Sequence, residues 1–302
     1  MRVAAIDLGS NSCVFLVLDS ETQQVVATDV TFCRLGEGLD GSGQLSTRAI
    51  QRSLSALKKY HRWAQELGCE HIECVGTAAL REGVNRQELI DSAAQFGLHV
   101  RAITGAEEAQ LSARAALDHL DPGQQALVVD VGGASTEFIL ADARGEIVWR
   151  SSLPIGSVRL LERWSLTAPA QDSVWKAIKA DILNAFKTLP SCPSVPIVAV
   201  AGTATTLVMC LKKMEVYDPL HIDHVRVSSR ALDALLDDLI SMSVPKRIVD
   251  FHLPLARADV FPVGLGLLQQ FLQWRGADHL IVRDRGVAWG VVLGCVESKG
   301  TD

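Results

Sequence analysis

Two short stretches of this 302-residue chain carry residue types that hold phosphate oxygens. One is Ile6-Asp7-Leu8-Gly9-Ser10-Asn11-Ser12, and the other is Val129-Asp130-Val131-Gly132-Gly133-Ala134-Ser135-Thr136. Each is an apolar β-run ending in Asp, followed by a turn of small and hydroxyl-bearing residues. Each then enters a second apolar run, residues 14–18 or 138–140. Aligning Asp7 with Asp130 puts Gly9 on Gly132, Ser12 on Ser135 and Phe15 on Phe138 without a gap. A strand–turn–strand of this kind offers backbone N–H groups and hydroxyls to anionic oxygens, with a carboxylate beside them that can hold a divalent cation. One D-x-G can be no more than a turn cap. Two in matched frames predict a duplicated architecture clamping a phosphate chain between two halves. A third small-residue turn is predicted at 201–206, after the apolar run 197–200.

Other groups could act on such a substrate. In Thr104-Gly105-Ala106-Glu107-Glu108, two adjacent carboxylates open a predicted helix and project about 100° apart. One can serve the helix dipole in solvent while the other faces a cleft. There it could orient or deprotonate the in-line water that phosphoanhydride hydrolysis needs. Glu137, on the return strand of the second hairpin, could face Asp130 and share Mg²⁺ with it through water. Arg81 could pair with a phosphate bidentately, or be a surface cation at a helix start. His221 and His224, around Asp223, form a weaker metal candidate whose commoner reading is a solvated loop.

The elements that must position these groups alternate between strand and helix, which predicts an α/β protein with mixed sheets. The first part reads as two strands, a loop at 36–43, a helix over 47–67, a strand at 71–75, a helix over 86–96, a strand at 100–103 and a helix over 106–117. Asp121-Pro122-Gly123 is a turn and a candidate domain boundary. Strands then run from 127 to about 153, with helices over 158–164, 172–189, 204–213, 230–242, 257–274 and 287–297 and further strands at 197–200 and 279–282. The expected domains are 1–120 with the terminal helix 286–302, and 121–285.

Composition sets outer limits. A net charge of −6 and a pI near 5.8 argue against a nucleic-acid-coating protein, so an anionic substrate must be bound locally. Seven cysteines, with no C-x-x-C, fit reduced thiols in a cytoplasmic protein. The start Met1-Arg2 leads straight into a strand, with no signal peptide, and the apolar runs fall far short of a membrane span.

Taken in order, these motifs resemble the exopolyphosphatase/guanosine pentaphosphate phosphohydrolase (Ppx/GppA) family of the actin-like superfamily. The resemblance also rests on Thr77-Ala78-Ala79-Leu80-Arg81-Glu82-Gly83, Ser152-Leu153-Pro154-Ile155-Gly156-Ser157-Val158-Arg159-Leu160, Gly202-Thr203-Ala204-Thr205-Thr206, Arg257-Ala258-Asp259-Val260 and Asp284-Arg285-Gly286. It implies two actin-like (ribonuclease H-like) domains with a cleft between them. The implied activity is release of terminal orthophosphate from inorganic polyphosphate, or from guanosine pentaphosphate, with Mg²⁺ or another divalent cation. It places the catalytic carboxylate on Glu108 and the metal-linked acids on Asp7, Asp130 and Glu137. The implied phosphate contacts are Ser10, Asn11, Ser12, Arg81, Gly132, Gly133, Ser135, Thr136, Gly202 and Thr203. No nucleic acid or membrane partner is expected, and a homodimer is left open. The alternatives are a non-catalytic polyphosphate or alarmone sensor, and an ATPase or kinase of the same superfamily. The chain departs from the family pattern at Ala134, at Gln110 and in the late stretch Val287-Ala288-Trp289. A family glycine stands at Ala134, and the matched residue of the first hairpin is Asn11, so a backbone that disfavours an ordinary side chain is suggested there: a positive φ would store strain, and a negative φ would not.

Overall fold

In the computed structural model residues 1–121 and 123–298 are described. Pro122 of the expected boundary turn and residues 299–302 of the expected first domain lie outside the described residues. The chain forms two compact units, Met1–Ala115 with the segment from Gly286, and Ala116–Arg285.

The first unit contains β1 (Arg2–Leu8), β2 (Cys13–Asp19), β3 (Val25–Thr31), α1 (Leu39–Ser42), α2 (Thr47–Glu66), β4 (His71–Gly76), α3 (Ala78–Glu82), α4 (Arg86–Ala94), β5 (Val100–Ala102) and α5 (Gly105–Ala116). The second contains β6 (Gln125–Val131), β7 (Thr136–Asp142), β8 (Ile147–Leu153), α6 (Ser157–Arg163), α7 (Asp172–Phe186), β9 (Ile197–Val200), α8 (Ala201–Leu211), α9 (Pro219–Ile222), β10 (Val225–Ser228), α10 (Ser229–Ser241), α11 (Val244–Phe251), α12 (Leu255–Ala258), α13 (Phe261–Arg275) and β11 (His279–Val282). The last helix, α14 (Val287–Ser298), returns to the first unit.

The sheet of the first unit runs β3-β2-β1-β4-β5, and that of the second β10-β11-β9-β6-β7-β8. In both, three consecutive strands form an antiparallel meander, and the first of them also pairs in parallel with the strand after a helix. The second sheet adds β10 at one edge; otherwise the order repeats. The duplication legible in the two D-x-G stretches therefore extends to the whole topology.

Strand periodicity explains the layers of the first unit. Ala4, Ile6 and Leu8 of β1 face a core that includes Leu57 and Tyr60 of α2. Val3 and Ala5 point to the opposite face and pack with Val291 and Val292 of α14. In the second unit Leu127, Val129 and Val131 of β6 join Phe138 and Leu140 of β7 in one core with Phe186 of α7 and Phe271 of α13. Phe138, Phe186 and Phe271 form an aromatic cluster with ring centroids 4.7–5.6 Å apart.

Several local expectations are corrected. The loop at 36–43 contains the four-residue helix α1, bracketed by the left-handed Gly38 and Gly43. The third turn at 201–206 is instead the first part of α8, entered through a left-handed Ala201 with φ 62°. The helix expected over 257–274 is two, because Pro262 sits in the first turn of α13, where its missing N–H costs nothing. The polar segment around His221 contains α9, β10 follows it, and α11 was not anticipated. Edge strand β3, rich in β-branched residues, was also not anticipated, because Asp29 and its exposed neighbours obscure its apolar pattern.

Candidate active site

The two hairpin turns are closed by the same bond. Gly9 N donates to Ser12 O at 2.9 Å, and Gly132 N donates to Ser135 O at 3.0 Å. Strand register carries the equivalence further: Asp7 pairs with Val14, and Asp130 pairs with Glu137. Directly opposed residues of an antiparallel pair share a face, so Asp130 and Glu137 stand side by side. Both are buried, and Glu137 accepts a hydrogen bond from Ser152 Oγ at 2.9 Å.

In the first unit the hairpin is walled by residues 33–37. Arg34 N donates to Asn11 O at 2.9 Å, and Gly36 N donates to Ser10 O at 2.8 Å. Arg34 is held left-handed, at φ 48°. Arg52 of α2 fixes this wall from behind, donating to Cys33 O and Arg34 O and pairing with Glu37 at 2.6 Å. Asp7 Oδ1 and Asn11 Oδ1 are buried without a hydrogen-bond partner. Burial, and secondarily the charge of Glu108, raises the Asp7 carboxyl to about 7.

Beside this hairpin, the two adjacent glutamates separate cleanly. Glu107 closes a capping box: its Oε2 accepts from Thr104 N at 2.9 Å, and its own N–H donates to Thr104 Oγ1 at 3.2 Å. It also pairs with Arg101 at 2.6 Å, and its side chain is 44 % exposed. Those backbone and Arg101 bonds lower its pKa. Glu108 is 6 % exposed, and burial raises its pKa, opposed by a hydrogen bond from Arg81. Arg81 Nη1 donates to Glu108 Oε2 at 3.0 Å and to Ile103 O at 3.0 Å. Gly76 lets α3 fold back tightly enough to bring Arg81 there, since a Cβ at Gly76 would press on Leu80.

In the second unit the hairpin is gripped by the start of α6. Ser157 N donates to Gly132 O, and Val158 N and Arg159 N both donate to Gly133 O, at 2.9, 2.9 and 3.0 Å. The close approach requires Gly156, where a Cβ would collide with the Gly133 carbonyl and lie 2.6 Å from the Ala134 carbonyl carbon. Thr136 Oγ1 donates to Ile155 O at 2.5 Å, and Thr203 Oγ1 donates to Val131 O at 3.1 Å. Both hydroxyl protons are thus engaged in fastening the hairpin. The guanidinium of Arg257 lies against Gly202 so closely that a Cβ there would overlap it. Burial of that guanidinium lowers its pKa to about 10.

The first unit holds a buried carboxylate steered by an arginine beside a small-residue turn, and the second holds two opposed acids beside another such turn; each set is equipped for phosphoryl chemistry. The Ppx/GppA phosphatase family model matches residues 16–299. The chain belongs to the Ppx/GppA phosphatase family. Exopolyphosphatase 2 of Mycobacterium tuberculosis is 32% identical over 97% of this chain and 98% of its own length. A bifunctional 3-dehydroquinate synthase/phosphatase of Fusobacterium nucleatum is 31% identical over 98% of this chain, which spans 47% of that relative. The Ppx/GppA protein of Aquifex aeolicus has a solved structure that matches with a TM-score of 0.83 and 27% identity, covering 99% of this chain and 98% of its own. The α/β fold with two mixed sheets is the actin-like fold of these Ppx/GppA structures.

Of the residues singled out from this Ppx/GppA sequence, Asp7, Ser10, Asn11, Ser12, Arg81 and Glu108 lie in the first unit, and Asp130, Gly132, Gly133, Ser135, Thr136, Glu137, Gly202 and Thr203 in the second. Arg81 and Glu108 are brought into contact, as are Asp130 and Glu137 through strand register. The strain suggested at Ala134 is absent: the left-handed non-glycine residues include Ala201 and Arg34 but not Ala134. The demand for glycine falls instead on Gly156, which packs over that turn. The histidine metal candidate is also corrected. His221 pairs with Asp218, Asp223 Oδ1 accepts from both Arg283 Nε and Asp284 N, and Asp223 Oδ2 lies 3.5 Å from His224 Nε2. Sequence reading passed over Arg34, and it quoted Gly156 and Arg257 within motifs without assigning either a role.

Among the described residues no three His, Cys, Asp or Glu side chains gather into a metal site. The residues on hand nonetheless suit a hard divalent cation, which needs one or two carboxylates when phosphate oxygens supply further ligands. Asp130 and Glu137 are such a pair, and the buried Asp7 Oδ1 has no protein donor to satisfy it.

Proposed function

We propose that this protein hydrolyses phosphoanhydrides, releasing terminal orthophosphate from inorganic polyphosphate, with guanosine pentaphosphate as a second substrate. The observation that carries the reading is Glu108, buried, raised in pKa and aligned by Arg81, next to a hairpin whose turn presents backbone N–H groups. A carboxylate whose pKa is lifted toward neutrality is suited to accept a proton from water. Water attacks the terminal phosphorus in line with the bridging oxygen, Glu108 takes its proton, and the bridging P–O bond breaks to free orthophosphate. Ser10, Asn11, Ser12 and Arg81 contact phosphate oxygens on the first unit. Gly132, Gly133, Ser135 and Gly202 do so on the second, with Thr136 and Thr203 contributing through the main chain, since their hydroxyl protons brace the hairpin. A divalent cation such as Mg²⁺, held through Asp130 and Glu137 with Asp7 as a further acid, would neutralise the phosphate charge.

Full-length coverage of the exopolyphosphatase relative favours polyphosphate as substrate. Seven cysteines outside any disulfide favour a reducing compartment such as the cytoplasm. The test is orthophosphate release from polyphosphate, guanosine pentaphosphate and ATP, side by side with Mg²⁺. Turnover of polyphosphate is expected to lead. Turnover of ATP alone would replace this reading with an ATPase, and tight binding without turnover would replace it with a sensor.

A further inference from the structure

The acidic net charge of this protein is unevenly distributed. The 20 residues of α2 carry five cations, Arg48, Arg52, Lys58, Lys59 and Arg62, against one carboxylate, Glu66, in a chain whose net charge is −6. Arg48, Arg52, Ser55, Lys59 and Arg62 lie within about 40° of one line along the helix. Arg48, Lys58, Lys59 and Arg62 are exposed. Arg52 and Lys59 are paired, with Glu37 and Asp29 respectively, while Arg48, Lys58 and Arg62 have no ion-pair partner among the described residues.

Two further observations give this stripe a direction and a shape. Its near end is joined to the candidate site, because Arg52 holds residues 33–37, and these in turn bond Ser10 O and Asn11 O of the first hairpin. Its far end opens into a groove of about 810 Å³ between α2 and β3, where Lys58, Lys59 and Arg62 outnumber the carboxylates Asp29 and Glu66, with Ser55 and Trp63 completing the lining. From Arg52 to Arg62 the helix rises about 15 Å. An extended polyanion of regular spacing fits such a row better than a compact anion does. The row would also raise the local concentration of an anionic chain that the rest of the surface repels.

We infer that the basic face of α2 is a docking track for the part of an inorganic polyphosphate chain distant from the reacting end. This rests on the phosphoanhydride reading above and adds a chain-length dependence to it. The track would contribute to KM for long chains and leave tripolyphosphate, too short to reach it, unaffected. Its contribution would weaken with ionic strength, since the cations are exposed.

The test is the triple variant Lys58→Gln, Lys59→Gln, Arg62→Gln, with a charge-keeping companion, Lys58→Arg, Lys59→Arg, Arg62→Lys. Steady-state kinetics on long-chain polyphosphate and tripolyphosphate is one readout. Equilibrium binding of end-labelled long chains with a chelator present is the other. The neutral variant is expected to raise KM and Kd for long chains by about tenfold or more, a loss of roughly 1.4 kcal/mol. Its kcat, its KM for tripolyphosphate and its melting temperature should match the parent, and the companion should restore binding. Unchanged long-chain KM and Kd, or equal weakening on both substrates, would overturn the track. If the parent cleaves neither substrate yet the neutral variant loses long-chain binding, the track stands and the hydrolase reading falls.

Discussion

Gly156→Ala isolates the packing that holds the second hairpin. Gly156 has φ −133° and ψ 168°, an extended conformation that alanine adopts freely, so the substitution carries no backbone penalty. Its Cβ would nevertheless overlap the Gly133 carbonyl and lie 2.6 Å from the Ala134 carbonyl carbon, both backbone atoms that cannot rotate away. The start of α6 must retreat, and the bonds from Ser157, Val158 and Arg159 to Gly132 O and Gly133 O stretch together. At about 0.5–1.5 kcal/mol net for each bond, the three amount to roughly 2–4 kcal/mol. The reduced entropy of the unfolded alanine chain offsets about 0.4–1 kcal/mol of this. A net loss of about 1–4 kcal/mol is expected in urea denaturation. Displacement of the Gly132–Gly133 turn by an ångström should also reduce kcat/KM by about a hundredfold. Gly105→Ala is the control. Nothing lies within 4 Å of its Cβ, and it opens α5, so stability should hold or rise slightly. A Gly156→Ala protein with parental stability and activity would refute the claim that this close approach shapes the turn.

Glu108→Gln should lower turnover by about 10²–10⁴ with substrate binding nearly kept, while Glu107→Gln, which loosens an exposed capping box, should be mild; near-normal turnover for Glu108→Gln removes it from the reaction. Burial raises the Asp7 carboxyl from its ordinary 3.8 to about 7, so the native state holds the extra proton and stability declines as pH rises from about 4 to about 7. Asp7→Asn abolishes that decline. Its advantage over the parent should be absent near pH 3 and reach on the order of 4 kcal/mol above pH 7, and a pH-independent difference in melting would contradict the assignment. Chelation should abolish orthophosphate release and Mg²⁺ should restore it; full activity after exhaustive chelation excludes a cation at Asp130 and Glu137. Ala134→Gly relieves no strain and only loosens the unfolded chain, so thermal melting should show a loss of about 0.4–1 kcal/mol, and a clear gain would contradict the backbone geometry found there.

The elements that could be read one by one share a physical property: their information is local. The hairpin turns were legible because Gly9 with Ser12 and Gly132 with Ser135 close within four residues, and matched frames then exposed the duplication. Even the choice between the two glutamates was available locally, since Thr104-Gly105-Ala106-Glu107 is a capping-box pattern that commits Glu107 to the helix start and leaves Glu108 for another task. What remained hidden depends on contacts between distant segments. Arg81 meets Glu108 across 27 residues, and Thr203 reaches Val131 O across 72. Gly156 and Gly202 lie in quoted motifs, but the reason they cannot carry a side chain is not in the sequence: folding brings a carbonyl and a guanidinium, respectively, against them. The raised pKa of Asp7 has the same origin, because desolvation and the neighbouring Glu108 charge exist only after the chain has packed around the carboxyl. Residue type and spacing thus specify which groups could bind phosphate, whereas burial and long-range contact set the protonation, orientation and steric limits under which they do so.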